Sequence, residues 1–204
     1  MQVINLTSAL LASNCYIIIS KDQAMVIDPS VEPEKILSKT NEYSSIITKI
    51  IYTHAHVDHI YYGDELKRIV DADIYGHKND LSLYSDEYKN GSILFGLHRK
   101  FDPYDIEVHD QMKINLGNEE LTVIHTPGHT MGCVCIHIND LLFTGDTLFY
   151  ESVGRTDLGT GDSDMLYDSI KNKIFTLPDS TIILPGHGIK STLAHEKENN
   201  RYVY

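Results

Sequence analysis

Thr53-His54-Ala55-His56-Val57-Asp58-His59 is the stretch from which the fold of this chain can be predicted, because it places three imidazoles and one carboxylate within six residues. A β-branched apolar run over 46–52 precedes it and indicates a buried strand. The pattern over 64–71 that follows indicates a short helix. The four side chains therefore lie on a strand-to-helix turn, where so many metal-binding groups predict a metal site and not part of a hydrophobic core.

The spacing within this stretch indicates two metal positions. At the end of a strand, residues two apart point to the same side, so His54 and His56 can share one ion. Asp58 and His59 turn into the helix and face the other way, where they could hold a second ion. Imidazole is a ligand for zinc, iron and manganese, and a carboxylate adds the hard oxygen that suits a bridging hydrolytic centre.

The composition limits the partner and the compartment. A net charge of -12 and a pI near 5.2 give no basic field for a nucleic-acid partner. No run reaches the 18 apolar residues of a membrane span, and the N-terminus has neither the basic start nor the cleavage site of a signal peptide. Three cysteines, an odd number in 204 residues, fit a reducing compartment. We therefore expect one cytoplasmic domain over 1–204, with no nucleic-acid or membrane partner and an oligomeric state that the sequence does not decide.

Periodicity predicts the remaining elements. The predicted strands are a hairpin over 15–20 and 24–28, a brief strand over 74–76, and strands over 120–125, 133–138, 141–144 and 181–184. The predicted helices are 33–40, with proline at its first position, and an amphipathic helix that carries Met165, Leu166, Ile170 and Ile174 and is capped by Ser163. The polar and aromatic segment 77–109 shows no clean periodicity; it predicts a partly helical insertion that is either a wall or lid beside the site or an ordinary surface excursion.

Three later turns each offer one more metal ligand at a strand end. They are His129 in 126–130, Asp146 in 144–147 and His187 in 185–188. A glycine adjoins each of these ligands, which allows the backbone to turn sharply and to approach a crowded site without a Cβ. A single His after Pro-Gly is a weak signal, but four such turns in one chain predict a shared site.

These motifs resemble those of the metallo-β-lactamase-fold hydrolases. The resemblance rests on Thr-His-Ala-His-Val-Asp-His at 53–59, Thr-Pro-Gly-His-Thr at 126–130, Thr-Gly-Asp-Thr-Leu-Phe at 144–149 and Pro-Gly-His-Gly at 185–188. Within that family, the short glyoxalase II-like branch is similar through Asn-Cys-Tyr at 14–16, Val-Ile-Asp-Pro at 26–29, Gly-Arg-Thr-Asp at 154–157 and the closing run 187–200.

The resemblance implies a fold and a ligand set. It implies an α/β fold, a metallo-β-lactamase-like four-layer αβ/βα sandwich of two mixed β-sheets flanked by helices, without the C-terminal helical domain of full-length glyoxalase II. It also implies two divalent metal ions per chain, with zinc expected and iron or manganese as alternatives. The implied ligands are His54, His56 and His129 for one ion, Asp58, His59 and His187 for the other, and Asp146 for both.

The implied activity is hydrolysis of the thioester of a small thiol, such as an S-2-hydroxyacyl thioester, by a hydroxide that bridges the two ions. Asp58 and Asp146 are the implied catalytic residues, Asp58 as a possible proton shuttle. Arg155 matches a basic glutathione contact of the family, and either it binds an anionic substrate group or it is a structural partner of Asp157.

Three other functions remain open. The 154–157 turn and the run 174–178 also resemble the persulfide dioxygenases, which use a single iron and oxygen but usually lack a glycine at the position of Gly188. A lactonase would use the same hydroxide on a cyclic ester. A metal-binding regulatory module without turnover is the alternative outside the enzymes, and the seven intact ligands argue against it, because a pure binding module needs no open coordination position.

The cysteines and the remaining histidines predict no second metal or catalytic site. Cys133 and Cys135 are expected to be buried as small hydrophobic residues. Surface or structural roles are expected for the histidines that lack a comparable turn, which are His77, His98, His109, His125, His137 and His195.

Overall fold

The computed structural model describes residues 1–10 and 12–203. The first sheet consists of β1 (Gln2–Thr7), β2 (Asn14–Ser20), β3 (Gln23–Ile27), β4 (Ile46–Ile51), β5 (Asp73–His77) and β6 (Ile106–Val108). These strands lie side by side in chain order. The pairs β1–β2 and β2–β3 are antiparallel, and the pairs from β3 to β6 are parallel, so the sheet is mixed.

The second half of the chain forms the second sheet and a small ribbon. Its strands are β7 (Lys113–Leu116), β8 (Glu119–His125), β9 (Val134–Ile138), β10 (Leu141–Gly145), β11 (Leu148–Phe149), β12 (Ser152–Val153), β13 (Ile182–Pro185) and β14 (Ser191–Thr192). The sheet order is β14-β13-β10-β9-β8-β7, in which only β10 and β13 run parallel, while β11 and β12 pair with each other.

Helices cover the outer faces of both sheets. They are α1 (Pro33–Glu42), α2 (Val57–Ile60), α3 (Gly63–Val70), α4 (Leu81–Tyr84), α5 (Ser163–Ser169) and α6 (Leu193–Asn199). Single helical turns occur at Lys78–Asp80 and Ser92–Phe95, and a wider turn at Ile170–Ile174 continues α5. Within the described part of the chain, no helix is long and apolar enough to cross a membrane.

Strand β2 shows why the chain forms four layers. All seven of its residues are buried. Alternate side chains, such as Ile17 and Ile19, pack toward the helices on the outer face, whereas Tyr16 and Ile18 pack toward the second sheet. A strand covered on both faces requires this nearly continuous apolar sequence.

Three hydrophobic cores separate the layers. One lies between the first sheet and α1 to α4, one lies between the two sheets, and one lies between the second sheet and the helices α5 and α6. The arrangement is the predicted four-layer sandwich of two mixed sheets flanked by helices.

Most predicted elements are present, with one correction and several additions. The 163–174 helix is capped by Asp162, not by Ser163, because the Asp162 side chain accepts a hydrogen bond from the Met165 amide at 3.0 Å and Ser163 is already helical. Strands β1, β7, β11, β12 and β14 were not predicted. Four of them have four residues or fewer, and β1 mixes three polar and three apolar residues without a regular period. The 77–109 segment is partly helical, as predicted, and its end adds β6 to the first sheet.

Candidate metal centre

The four ligand-bearing turns follow β4, β8, β10 and β13, and they meet where one end of the first sheet packs against the second. One backbone hydrogen bond joins two of these turns directly, because the Gly186 amide donates to the Gly145 carbonyl at 2.7 Å. Two others join a turn to a strand: the Val134 amide of β9 donates to the Thr53 carbonyl at 2.8 Å, and the Asn14 amide of β2 donates to the Gly186 carbonyl at 2.7 Å. The seven predicted ligands, which are far apart in sequence, therefore lie together in one buried cluster.

One group consists of His54, His56 and His129. The Nδ1 atom of His56 lies 2.8 Å from Nε2 of His129, and the ring of His54 lies 4.8 Å from each of these rings. The Nε2 atom of His54 is buried and has no hydrogen-bond partner. Three imidazole nitrogens that converge in this way form a ligand set of the kind that zinc or another divalent ion takes.

The other group consists of Asp58, His59 and His187. The Nε2 atoms of the two histidines lie 3.2 Å apart, and Oδ2 of Asp58 lies 3.1 Å from Nε2 of His187. These three side chains come from the turn after β4 and the turn after β13 and offer two nitrogens and one oxygen.

Asp146 lies between the two groups. Its carboxylate is 3.3 Å from Nε2 of His59, 3.5 Å from Nε2 of His129 and 3.6 Å from Nε2 of His187. Its Oδ1 atom is buried and accepts no hydrogen bond. One carboxylate thus contacts both histidine groups, which is the position of a bridging ligand.

The electrostatics also fit divalent ions. Burial lowers the pKa of His54 well below its usual range and lowers the pKa of His56 to about 3. Both imidazoles are therefore neutral near pH 7, the form that binds a metal ion. Burial opposes the charge of Asp146, but the neighbouring His59, His129 and His187 outweigh it and hold the pKa of Asp146 well below its usual range. Burial lowers the pKa of His59 and of His187, but the neighbouring carboxylates of Asp146 and Asp58 outweigh it and raise both pKa values. These imidazoles therefore supply the positive charge that the buried carboxylates require, and a divalent cation could supply it in their place.

Asp28 positions the second group and was not singled out as a site residue from the sequence. Its carboxylate accepts hydrogen bonds from the Thr53 amide at 2.7 Å, the Thr53 hydroxyl at 2.6 Å and Nδ1 of His59 at 2.9 Å. Asp28 is also close enough to His54 and His59 to form a metal group with them, but these three hydrogen bonds already occupy its oxygens. Its role is to turn Nε2 of His59 toward the centre. The signal in the sequence was a lone aspartate at the end of the apolar run 24–27.

Asp80 forms hydrogen bonds to two of the ligand-bearing turns. It is almost completely buried, and it accepts hydrogen bonds from the Ala55 amide at 3.0 Å, the Thr130 hydroxyl at 2.8 Å and the Gly132 amide at 2.8 Å. Ala55 lies between His54 and His56, and Thr130 follows His129. No pattern in the sequence indicates this role, because Asp80 stands among other polar residues in the 77–109 segment.

Arg155 approaches the centre through its backbone. Its carbonyl oxygen lies 2.6 Å from Nδ1 of His129, and this hydrogen bond leaves Nε2 of that ring free to face the cluster. Its guanidinium forms a bidentate pair with Asp157, at 2.6 and 2.8 Å, and both side chains are mostly exposed. The structure therefore shows the pairing with Asp157, while the binding of an anionic substrate by Arg155 stays a prediction.

Close packing explains the glycine at two of the turns. A Cβ at Gly186 would overlap the carboxylate of Asp146, and a Cβ at Gly145 would overlap the side chain of Thr53. Gly145 also has a φ of +48°, which disfavours a side chain. The ligands can approach one another only because these turns lack side chains.

A cavity of about 350 Å³ opens over the cluster. Its floor includes five of the predicted ligands, and its walls include apolar residues from two different segments. The lining side chains that are not predicted ligands include Asn90, Phe95, Phe149, Val153, Arg155 and Leu158. The 77–109 segment thus contributes to the wall of the cavity, which was one of its two predicted roles.

Most of the other histidines and the cysteines lie outside the cluster, in settings that suit structural or surface roles. His77 and His125 stack on each other with ring centres 4.1 Å apart, and His195 pairs with Glu151 at 2.9 Å. Cys133 and Cys135 are buried, and burial raises the pKa of Cys135 to about 11, so it is an unreactive thiol.

Comparisons with known proteins identify similar sequences over nearly the full chain. A family model described as the metallo-beta-lactamase superfamily matches residues 9–187. The chain is 36% identical over 194 residues to the probable metallo-hydrolase YqgX of Bacillus subtilis, a match that covers 94% of this chain and 92% of that protein. It is 30% identical over 195 residues to the hydroxyacylglutathione hydrolase GloC of Haemophilus influenzae, with coverage of 93% and 92%.

Solved structures show the same fold. The B3 metallo-beta-lactamase BLEG-1 superposes with a TM-score of 0.92 at 30% identity, covering 99% of both chains. TTHA1623 in a di-iron-bound form gives a TM-score of 0.86 at 33% identity, covering 98% of this chain and 99% of that chain. ETHE1 from Myxococcus xanthus gives 0.83 at 28% identity, with coverage of 98% and 84%.

Proposed function

Because the chain belongs to the metallo-beta-lactamase superfamily, we propose that it is a dinuclear metallohydrolase that cleaves the thioester of a small thiol. The observation that carries this proposal is the position of the Asp146 carboxylate between two histidine groups on the floor of an open cavity. A relative with the name hydroxyacylglutathione hydrolase supports an S-2-hydroxyacyl thioester as the substrate.

Seven residues would hold the two ions. His54, His56 and His129 would bind the first ion, Asp58, His59 and His187 the second, and Asp146 both. Bound at these positions, divalent ions would lower the pKa of a water molecule and polarise the carbonyl group of the substrate. Zinc is the proposed metal, and the di-iron form of TTHA1623 makes iron the main alternative.

The chain supplies orientation and charge to this chemistry. Asp28 and the Arg155 carbonyl each hold Nδ1 of one histidine, so that Nε2 faces the ions. Asp58 lies at the cavity with its side chain 13% exposed, where its carboxylate can take a proton from the attacking water. The apolar cavity wall limits the access of water to the reacting carbonyl group.

The choice of a thioester follows from the leaving group. The described residues that line the cavity include no lysine, tyrosine or free histidine that could protonate a departing amine. A thiolate leaves without that help, because it is a stable anion near neutral pH, whereas an amide nitrogen needs a general acid. The same argument applies to a lactone less strongly, so a lactonase remains the hydrolytic alternative.

Metal analysis and a substrate panel test the proposal together. We expect close to two ions per chain and hydrolysis of S-lactoylglutathione that exceeds the hydrolysis of a lactone and of a β-lactam. His54→Ala and Asp146→Ala should lose both metal and activity, whereas the exposed His109→Ala should keep both. One iron per chain with oxygen uptake on a persulfide would instead establish the persulfide dioxygenase alternative, and preferential lactone hydrolysis would establish the lactonase.

A further inference from the structure

A six-residue turn beside the centre, Gly91 to Gly96, carries two exposed apolar side chains. Both glycines have left-handed backbone angles, with φ of +78° and +68°, and a Cβ at either would meet no atom within 4 Å. The turn therefore needs glycine for its backbone geometry and not for close packing. Leu94 is 57% exposed and Phe95 is 47% exposed. We call this segment the Phe95 turn.

Hydrogen bonds hold the residue that precedes the Phe95 turn. Asn90, which precedes it, is completely buried, accepts a hydrogen bond from the Ser92 amide at 2.8 Å and donates one to the Arg99 carbonyl at 2.9 Å. The Asn90 carbonyl accepts from the Val57 amide at 2.9 Å. Val57 lies between His56 and Asp58, so this hydrogen bond fixes the base of the turn relative to the centre.

Phe95 lines the cavity over the centre. Phe149, Val153 and Leu158, which come from the segment after β10, line the cavity as well. Among the described residues that line the cavity, Arg155 is the single lysine or arginine, and Asp157 already pairs with it. Above its polar floor, the cavity is therefore apolar.

We propose that Phe95 is a specificity-determining residue that contacts an aliphatic acyl group of the substrate. This proposal rests on the proposed thioester hydrolysis and names the class of its substrate: acyl groups with several methylenes beyond the carbonyl, in preference to the three-carbon lactoyl group. A partly exposed phenylalanine gains more from covering a methylene chain than from covering a short hydroxylated group, because the gain follows the apolar area removed from water.

The expected effect is a change in selectivity. A 2-hydroxyhexanoyl thioester has three more methylenes than a lactoyl thioester, and their burial should raise kcat/KM by about tenfold or more. Both substrates should be esters of the neutral thiol N-acetylcysteamine, so that Arg155 does not contribute. Phe95→Ala should reduce the ratio of the two kcat/KM values several-fold, while Phe149, Val153 and Leu158 keep part of the preference for the longer chain. Leu94→Ala, in the same turn but outside the cavity lining, should keep the wild-type ratio. Equal rates on both substrates in the wild type, or an unchanged ratio in Phe95→Ala, would overturn the proposal.

A second measurement does not depend on turnover. The chain contains no tryptophan, so Phe95→Trp introduces a single tryptophan at the cavity wall, whose emission can be excited selectively in the presence of the 13 tyrosines. Titration with S-hexyl-N-acetylcysteamine, a thioether that cannot be hydrolysed, should shift its emission to shorter wavelength, and the S-methyl analogue should have little effect. Leu94→Trp is the matched control and should respond to neither.

The two measurements separate this inference from the proposed function. A response of Phe95→Trp in a protein that hydrolyses no thioester would support the apolar site and refute the thioesterase. Thioester hydrolysis without chain-length selectivity, and without a response of the fluorophore, would support the thioesterase and refute the role of Phe95.

Discussion

Asp80→Asn should weaken both the fold and the first metal position, because Asp80 is hydrogen-bonded to the backbone beside His54 and His56 and to the residue after His129. Oδ2 of Asp80 accepts from the Ala55 amide and the Thr130 hydroxyl, and Oδ1 accepts from the Gly132 amide. Asparagine has one acceptor oxygen. If it keeps the two hydrogen bonds at Oδ2, its NH₂ group faces the Gly132 amide and leaves a buried donor unpaired.

The magnitude follows from that lost hydrogen bond. A buried donor without a partner costs about 1–3 kcal/mol, and loss of the charged acceptor weakens the two remaining hydrogen bonds, so we expect a loss of about 2–3 kcal/mol. For a chain of this size that corresponds to a decrease in Tm of about 5–10 °C. Metal affinity at the first position should fall by about 10- to 100-fold, because the backbone beside three of its ligands is less well fixed.

The assay has two parts. Thermal unfolding with a chelator present measures the effect on the metal-free fold, and competition with a chromophoric chelator measures metal affinity. Burial raises the pKa of Asp80 to about 6, so measurement at pH 8 compares an ionised carboxylate with a neutral amide. Asp22→Asn, at an exposed position in the turn between β2 and β3, is the control. An unchanged Tm together with an unchanged metal affinity in Asp80→Asn would refute the assigned role.

Three further predictions concern other contacts of the structure. Asp28→Asn should lower the metal content from about two ions toward one, because Asp28 orients His59 of the second position; elemental analysis checks this, and equal loss of both ions would contradict it. Burial lowers the pKa of His77 to about 4, so as the pH falls the unfolded chain takes up a proton before the native state does, and His77 should lower the free energy of unfolding of the metal-free protein by about 2 kcal/mol between pH 6.5 and 4. His77→Gln should remove this part of the pH dependence measured by urea unfolding. An identical dependence of the free energy of unfolding on pH in the two proteins would exclude the effect. If Arg155 binds an anionic thiol, Arg155→Ala should raise the KM for S-lactoylglutathione by about tenfold. Asp157→Asn frees the guanidinium of Arg155 and should lower that KM. Neither substitution should change the KM for an N-acetylcysteamine thioester, which lacks the anionic group.

The positions of the Phe95 turn and of the paired Arg155 predict that the cavity binds the acyl end and the thiol end of a thioester through different contacts. The Phe95 turn presents apolar surface, whereas Arg155 is the one lysine or arginine among the described residues of the cavity lining. The experiments on the acyl group and on the thiol are independent, since each keeps the other part of the substrate constant.

From the sequence alone, the resemblance of four motifs to those of the metallo-β-lactamase-fold hydrolases predicted the fold class, and the local patterns predicted single strands and the candidate ligands. Apolar runs such as 14–20 are nearly continuous, which is the pattern of strands covered on both faces, and the dense motif 53–59 marks a strand end. His129, Asp146 and His187 could be predicted as partners because each follows an apolar strand and adjoins a glycine. These signals are local, so they can be found without coordinates.

Only the tertiary structure decided which groups orient the ligands and which form the cavity wall. Asp28, Asp80 and the Arg155 carbonyl act on residues 25 or more positions away, through hydrogen bonds that exist only once the two sheets have packed. In sequence, Asp80 looks like any surface aspartate, and a backbone carbonyl has no sequence signal at all. Phe95 is similarly one of several aromatic residues in an aperiodic segment. Its place over the centre depends on the hydrogen bond between Asn90 and Val57, because the direction in which a loop leaves its anchor is set by long-range packing and not by local propensity.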